Sequence, residues 1–329
     1  MLPPLAFLRV AILFMFTLSL VSIFDKFMKL CLTCEKLVLM KVAIFGRTVY
    51  RTSLPKLMEV LKIVEESSSQ VYFYEPFFRH ISQICPSFSF KGAELFSSAG
   101  EIPEDTGLLL SLGGDGTFLS SVPLVVGREI PVAGINFGRL GFLTTSRVEG
   151  ISSLLQGKFK TEKRTLLKMN CSSMPEGFCP YALNEFTLQR KGPAVLELEI
   201  KVNGEPIPRY MADGVLIASA TGSTAYSMSA GGPIVMPGCK VLIIVPIAPH
   251  NLNIRPLVVS DSATIEVGFS TRYEDATLSA DNRSFSIPDG EKAVFTASST
   301  DLEIVSPDNS FMEALSSKLY WGADWRNSI

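Results

Sequence analysis

The residues best suited to chemistry are three glycines around a carboxylate, in the run Gly113-Gly114-Asp115-Gly116-Thr117. The glycines carry no side chain and are expected to supply positive φ, so that a phosphate can reach backbone N–H groups. A helix predicted to begin near Thr117 would add the positive end of its dipole. Asp115 would repel the phosphate unless it takes up a proton or faces a metal ion, which makes it the candidate for proton transfer. The alternative is a tight strand-to-helix turn that Asp115 caps.

The sequence of this loop excludes two common nucleotide-binding motifs. It contains no lysine and matches neither Gly-x-x-x-x-Gly-Lys-Ser/Thr nor Gly-x-Gly-x-x-Gly. Continued by Phe118-Leu119, it resembles the loop shared by NAD kinases and by the diacylglycerol and sphingosine kinases. The loop alone therefore leaves the acceptor of the phosphoryl group open.

A second stretch, residues 213–233, distinguishes these families. It leads from Asp213-Gly214 through a strand into a loop over residues 221–232 that is crowded with small hydroxyl residues and glycines. Such a loop offers N–H and O–H donors to a phosphate or ribose without steric bulk. The stretch resembles the matching loop of bacterial NAD kinases, and lipid kinases are not expected to carry it.

Three further segments resemble bacterial NAD kinases, in order along residues 40–325. They are the pair Asn184-Glu185, which holds NAD in that family, residues 246–256, and the closing Lys318-Leu319-Tyr320-Trp321. The chain departs from the family pattern at Met211, Ala220 and Arg283, where arginine, proline and glutamine are usual. Met211 is therefore left out of the predicted site, and Arg283 is kept as a marginal candidate.

The resemblance implies transfer of the γ-phosphoryl group of ATP to the 2′-hydroxyl of the adenosine ribose of NAD. Asp115 would orient that hydroxyl and accept its proton late in the transfer. Mg²⁺ or another divalent cation and the loop residues would handle the ATP phosphates; these residues are Gly113, Gly114, Gly116 and Thr117. The implied NAD contacts are Asp115, Gly116, Asn184, Glu185, Asp213, Thr224, Ala225, Tyr226, Ser227, Met228, Ser229 and Ala248.

The resemblance also implies partners, because relatives are homo-oligomers whose β domains help to complete neighbouring sites. We therefore expect a homodimer or homotetramer. Two rival functions stay open. The Gly-Gly-Asp-Gly-Thr loop and the apolar N-terminus favour a lipid or sphingoid kinase, whereas a non-catalytic NAD(P) sensor is disfavoured by the intact Asp115.

The elements that position these motifs alternate between strand and helix up to about residue 146. The run 108–112 reads as a buried parallel strand because it is continuously apolar, and it delivers the glycine loop at its carboxyl end. Later segments such as 196–202 alternate, and this one ends in the hairpin signal Asn203-Gly204. We predict a Rossmann-like α/β domain, a β-sandwich-like domain, and a helix over 311–325 that returns to the first domain.

The predicted boundaries are 40–146 for the α/β domain, 147–300 for the β-rich NAD-binding domain and 301–329 for the returning segment. The extension 1–39 contains an almost wholly apolar tract that fits a signal anchor or a short membrane span. The alternative is that it follows from an upstream start codon and is not normally made, because Met40 opens the first predicted strand.

The composition excludes several function classes. The 329 residues are 47% hydrophobic and 19% charged, which is typical of a globular chain of two domains. A net charge of −2 gives no electrostatic case for nucleic acid. Two histidines argue against a His-rich metal site, so no metal-ligating residues are predicted. Six cysteines without a full zinc pattern predict reduced thiols in a cytoplasmic protein.

Overall fold

The first strand of the fold begins next to Met40, and the computed structural model describes residues 40–68, 70–138, 141–144, 148–272, 275–306 and 310–322. The apolar extension 1–39 lies outside the described residues. Among the described residues, none of the helices combines the length and hydropathy that crossing a membrane requires.

Parallel strands with helices on both faces form the first part of the fold. The strands are β1 (Lys41–Gly46), β2 (Gln70–Tyr74), β3 (Ala93–Phe96), β4 (Leu108–Leu112) and β5 (Val132–Ile135), in the spatial order β5-β4-β1-β2-β3. The helices are α1 (Leu54–Ser67), α2 (Glu75–Ile84), α3 (Asp115–Ser121) and α4 (Ile151–Leu155). Val42 and Ile44 share a buried cluster with α1 and α2, whereas Ala43 and Phe45 share another with α3. Burial of both faces explains the continuous apolar runs.

Strands dominate the second part. They are β6 (Thr161–Cys171), β7 (Tyr181–Ala182), β8 (Glu185–Arg190), β9 (Leu196–Val202), β10 (Glu205–Pro206), β11 (Tyr210–Ala212), β12 (Gly214–Ser219), β13 (Val241–Ile247), β14 (Leu257–Ser260), β15 (Ile265–Ser270), β16 (Ala276–Ala280), β17 (Arg283–Ile287) and β18 (Lys292–Val305). Two helices complete the described chain, α5 (Tyr226–Ser229) and α6 (Phe311–Leu319).

Two sheets enclose the core of this second part. One is antiparallel, in the order β14-β13-β12-β8-β16-β17. The buried residues on one of its faces share an apolar core with those of β6, β9, β15 and β18 in the other sheet, whereas the opposite face of β12 and β13 forms a smaller separate cluster. In that other sheet β18 runs beside β5, with Ile304 opposite Val132, so the parallel strands of the first part continue into it.

This architecture confirms the predicted fold class, including the return of the last helix to the first part. The Asn203-Gly204 turn is confirmed as well, because both residues have positive φ, 53° and 83°. The helix expected near Thr117 begins two residues earlier, at Asp115. One helix limit was wrong: α6 ends at Leu319, where Tyr320 turns left-handed with φ 53°. The domain boundaries stay predictions.

Candidate active site

A cavity of about 550 Å³ opens where the glycine loop, the strands of the second part and α6 meet. Residues from distant parts of the sequence line it: Asp115, Phe142, Leu143, Glu162, Arg164, Asn184, Thr221, Thr224, Ala225, Met236, Pro237, Gly238, Ser306, Ser310, Phe311, Ala314 and Lys318. The cavity thus brings four of the predicted site residues together: Asp115, Asn184, Thr224 and Ala225.

The loop 141–144 holds the Asp115 carboxylate. Oδ2 accepts the backbone N–H of Phe142 at 2.8 Å, and Oδ1 accepts those of Leu143 and Thr144 at 3.2 and 2.9 Å. The Thr144 hydroxyl donates to Oδ1 as well, at 2.8 Å. A Cβ at Gly141 would lie 1.8 Å from Oδ1, so only glycine lets the loop come this close. Oδ2 receives one of these four bonds, and a carboxylate oxygen can accept about two.

Positive φ was expected at all three glycines of the loop, but the structure shows it at one of them, Gly113. Gly113 has φ 156°, but Gly114 has φ −89° and Gly116 lies within α3. A Cβ at Gly113 would lie 2.4 Å from the Thr117 hydroxyl oxygen, whereas Cβ atoms at Gly114 and Gly116 would meet open space. The first glycine therefore permits the turn, and the other two leave room above the loop.

Asp281 orders the predicted NAD-binding pair, a role that sequence reasoning missed. Its half-buried carboxylate accepts the backbone N–H groups of Leu183 and Asn184 at 2.8 Å each and that of Glu185 at 3.2 Å. Burial raises the pKa of Asp281, although these three bonds oppose the shift. The signal in the sequence was the position of Asp281, two residues before Arg283, where the chain departs from the family pattern.

Glu185 is a buried carboxyl group in the same region. Burial, and after it the charge of Asp281, raises its pKa to about 8, while the backbone N–H of Tyr226 opposes the shift. Its Oε2 atom has no hydrogen-bond partner within the described part of the chain. A buried oxygen without a partner is costly unless a ligand satisfies it, so Glu185 is suited to form a hydrogen bond with a bound molecule.

Other predicted NAD contacts do not occur among the described residues that line the cavity. Asp213 forms an ion pair with Arg190, with Oδ1 and Nε 2.6 Å apart. The Tyr226 hydroxyl accepts from the Gln189 side chain at 2.9 Å. Ala248 follows β13 with an unusual positive φ of 45°.

Three neighbouring candidates belong to α5, just beyond the cavity-lining Thr224 and Ala225. Ser227 is buried, Met228 is half-buried and Ser229 is exposed. Arg283, the marginal candidate, is used elsewhere, because its terminal nitrogens donate to the carbonyls of Cys179 and Tyr181 at 2.9 and 2.5 Å.

Charged residues that sequence reasoning did not place complete the cavity wall. Arg164 is buried and pairs with Glu162, and burial lowers the pKa of this arginine. Lys318 comes from α6 and donates to the Gly141 carbonyl. No group of three or more His, Cys, Asp or Glu side chains within the described residues is arranged to hold a metal ion.

Comparison with known protein families gives two matches that together span most of the described chain. The ATP-NAD kinase N-terminal domain matches residues 42–162, and the ATP-NAD kinase C-terminal domain matches residues 183–306. An NAD kinase of Flavobacterium psychrophilum is 37% identical over 299 residues, covering 88% of this chain and 100% of the relative. An NAD kinase of Bacteroides fragilis is 33% identical over 293 residues, covering 87% and 100%.

Two solved structures are similar to this chain over most of its length. An NAD kinase from Archaeoglobus fulgidus in complex with ATP superposes with a TM-score of 0.64 at 28% identity, covering 84% of this chain and 98% of that one. Yeast NADH kinase complexed with NADH superposes with a TM-score of 0.77 at 24% identity, covering 88% and 89%, which is a likeness of fold.

Proposed function

The chain belongs to the ATP-NAD kinase family, and we propose that Asp115 is the residue around which its reaction is organised. As an NAD kinase, it transfers the γ-phosphoryl group of ATP to the 2′-hydroxyl of the adenosine ribose of NAD, giving ADP and NADP. The observation that supports the residue assignment is the single cavity that Asp115 shares with Asn184, Thr224 and Ala225.

Asp115 acts as the general base in this proposal. Its Oδ2 atom receives one bond from the loop and keeps capacity to accept the ribose hydroxyl. An aspartate is far too weak a base to remove an alcohol proton before phosphoryl transfer begins, so the proton moves late, as the hydroxyl oxygen bonds to phosphorus. General-base help of this kind contributes on the order of 10²–10⁴-fold in rate.

Substrate binding is divided between two walls. The Asn184-Glu185 pair and residues 224–229 are assigned to NAD, with the unpartnered Glu185 oxygen available for a hydrogen bond to the ligand. The residues assigned to the ATP phosphates are Gly113, Gly114, Gly116 and Thr117. Because Gly114 and Gly116 face open space, a phosphate can approach their backbone N–H groups.

ATP is used with a divalent cation in this family, and we propose Mg²⁺. Mg²⁺ typically takes one or two carboxylates, the phosphates of the substrate and water. In the cavity Asp115 is committed to the loop 141–144 and the ribose hydroxyl, and Glu162 pairs with Arg164, which fits a cation carried in by the nucleotide rather than a cage built by the protein. When bound, the cation supplies charge neutralisation on the phosphates.

A homodimer or homotetramer is also part of the proposal. Most residues assigned to NAD by family resemblance, including Asp213, Tyr226 and Ala248, do not occur among the described residues that line the cavity. A neighbouring subunit's cavity is a place where they would act, as the resemblance implies. We further propose a cytoplasmic location, because both substrates are water-soluble nucleotides.

The deciding experiment supplies ATP·Mg²⁺ with either NAD or diacylglycerol and measures NADP and phosphorylated lipid. We expect NADP with NAD and no phosphorylated lipid. Lipid phosphorylation would support the rival kinase class. Tight NAD binding without NADP formation would identify a sensor. Repeating the assay with inorganic polyphosphate and with NADH defines the donor and acceptor range.

A further inference from the structure

We propose that Lys318, in the C-terminal helix α6, is a positioning residue for phosphoryl transfer. It fixes the loop 141–144, and that loop orients the Asp115 carboxylate. This inference rests on the proposed role of Asp115. It concerns a residue 177 positions away in sequence from the Gly141 carbonyl that it contacts.

Helix α6 contacts one side of the loop 141–144 at two consecutive loop residues, Gly141 and Phe142. Lys318 Nζ donates to the Gly141 carbonyl and lies 4.4 Å from the centroid of the Phe142 ring. The Phe311 ring, about two turns earlier on the same face of α6, lies 6.3 Å from the same ring, centroid to centroid. A charge-assisted hydrogen bond and a cation–π contact are stronger and more directional than ordinary apolar packing. Lys318 therefore sets the position of the loop rather than merely covering it.

The other side of the loop 141–144 binds the Asp115 carboxylate, the proposed general base. Phe142, Leu143 and Thr144 donate their backbone N–H groups to Asp115 within 2.8–3.2 Å. The residue that packs under Lys318, Phe142, is also the donor to Asp115 Oδ2, the oxygen assigned to the ribose hydroxyl. A displacement of about 1 Å in such a group can cost on the order of 10²-fold in rate.

Charge supports the same arrangement. Burial lowers the pKa of Lys318, and the Asp115 carboxylate opposes that shift, so the two charges act on each other. The other charged groups of the cavity wall, Glu162 and Arg164, pair with one another. The helix itself is anchored at its start, because Ser310 and Glu313 form a reciprocal capping box.

The first test compares Lys318→Met, Lys318→Arg and a matched removal of an exposed helical lysine, Lys62→Met. We expect Lys318→Met to lower kcat about tenfold to a hundredfold with the KM values for ATP and NAD changed less than about threefold. Lys318→Arg keeps a cation for the carbonyl and ring and recovers part of the loss. Lys62→Met stays at the wild-type rate. An unchanged kcat in Lys318→Met, or a loss confined to the KM for ATP, overturns the proposal.

The second test is a double-mutant cycle with Asp115→Asn. If Lys318 acts through Asp115, adding Lys318→Met to Asp115→Asn lowers kcat by less than about threefold further. If the falls in kcat of the two single variants instead multiply in the double variant, Lys318 acts on the substrate independently of Asp115, and the proposal fails. Failure of the base assignment shows up separately, as near-wild-type turnover of Asp115→Asn alone.

Thermal melts accompany each variant. Should Lys318→Met be unstable, Phe311→Leu replaces it, because this change removes the ring contact with Phe142 and keeps Lys318. It must show the same fall in kcat and the same lack of additivity with Asp115→Asn, and an unaffected kcat in the folded variant counts against the proposal.

Discussion

The carboxylate of Asp281 accepts the backbone N–H of Asn184, 97 residues earlier in the chain, at 2.8 Å. Its neighbour Asn282 donates to the backbone carbonyl of Gly116 at 3.1 Å. One turn between β16 and β17 therefore contacts both the predicted NAD-binding pair and the first turn of α3. The relative placement of the two substrate walls depends on these two side chains.

Replacing Asp281 with alanine should loosen the NAD wall. The change leaves the N–H groups of Leu183, Asn184 and Glu185 without their acceptor, and each unpaired buried donor costs about 1–3 kcal/mol. We expect a lower melting temperature and a larger rise in KM for NAD than for ATP. Asp289→Ala, which removes a single exposed acceptor, is the control. Equal effects on both KM values would contradict the assignment.

Asp115→Asn should lower kcat at least about a hundredfold while NAD affinity is mostly kept, because the amide cannot take the proton. It also places an NH₂ group opposite an N–H donor of the loop, so stability falls by about 1–3 kcal/mol. Thr144→Val removes one bond to the same carboxylate and keeps the base. Steady-state kinetics should show a loss below about tenfold for this control. Near-wild-type turnover of Asp115→Asn would exclude Asp115 as the base.

Asp213→Ala should raise the KM for NAD more than that for ATP. Asp213 pairs with Arg190 and does not line the described cavity wall, so in the proposed oligomer the effect on NAD comes from a contribution to another subunit's site. Oligomers mixed from Asp213→Ala chains and Asp115→Asn chains should then regain activity at low NAD. Some of their sites combine the intact Asp115 of one chain with the intact Asp213 of its neighbour. Asp275→Ala serves as the surface control. A selective effect on ATP would show that the walls are assigned to the wrong substrates.

Glu185 should make the stability of the ligand-free protein depend on pH. Burial and the charge of Asp281 raise its pKa from 4.5 to about 8 in the folded state. Between these values the folded chain holds a proton that the unfolded chain has released. The free energy of unfolding therefore falls as pH rises, by at most about 1.4 kcal/mol per pH unit.

The Glu185→Gln variant lacks this titration, so its stability should fall less steeply from pH 5 to pH 8. Urea unfolding of both proteins at several pH values measures the difference. Parallel stability profiles would show that Glu185 is not protonated in the folded state.

A chain beginning at Met40 should fold and be fully active. β1 begins at Lys41, and the family match begins at residue 42. We expect a cooperative thermal melt and the kcat of the full chain. Mass spectrometry of the native N-terminus then separates the two interpretations of residues 1–39. An insoluble or inactive product would show that the extension belongs to the fold.

The sequence by itself determined the elements whose signals are local. The apolar run 108–112 indicated a buried parallel strand, and the glycine loop after it identified Asp115. The hairpin at Asn203-Gly204 followed from residues that tolerate positive φ. Contiguous motifs also indicated the family, because their residue types and their order along the chain can be identified without knowledge of spatial contacts.

Only the tertiary structure decided what surrounds Asp115. Its donors in the loop 141–144 lie 27 to 29 residues away, and Lys318 reaches that loop from the end of the described chain. The high pKa of Glu185 depends on burial and on Asp281, neither of which a linear motif encodes. Such contacts arise from strand register and from the packing of distant segments, and for that reason side-chain chemistry was predictable here while side-chain environment was not.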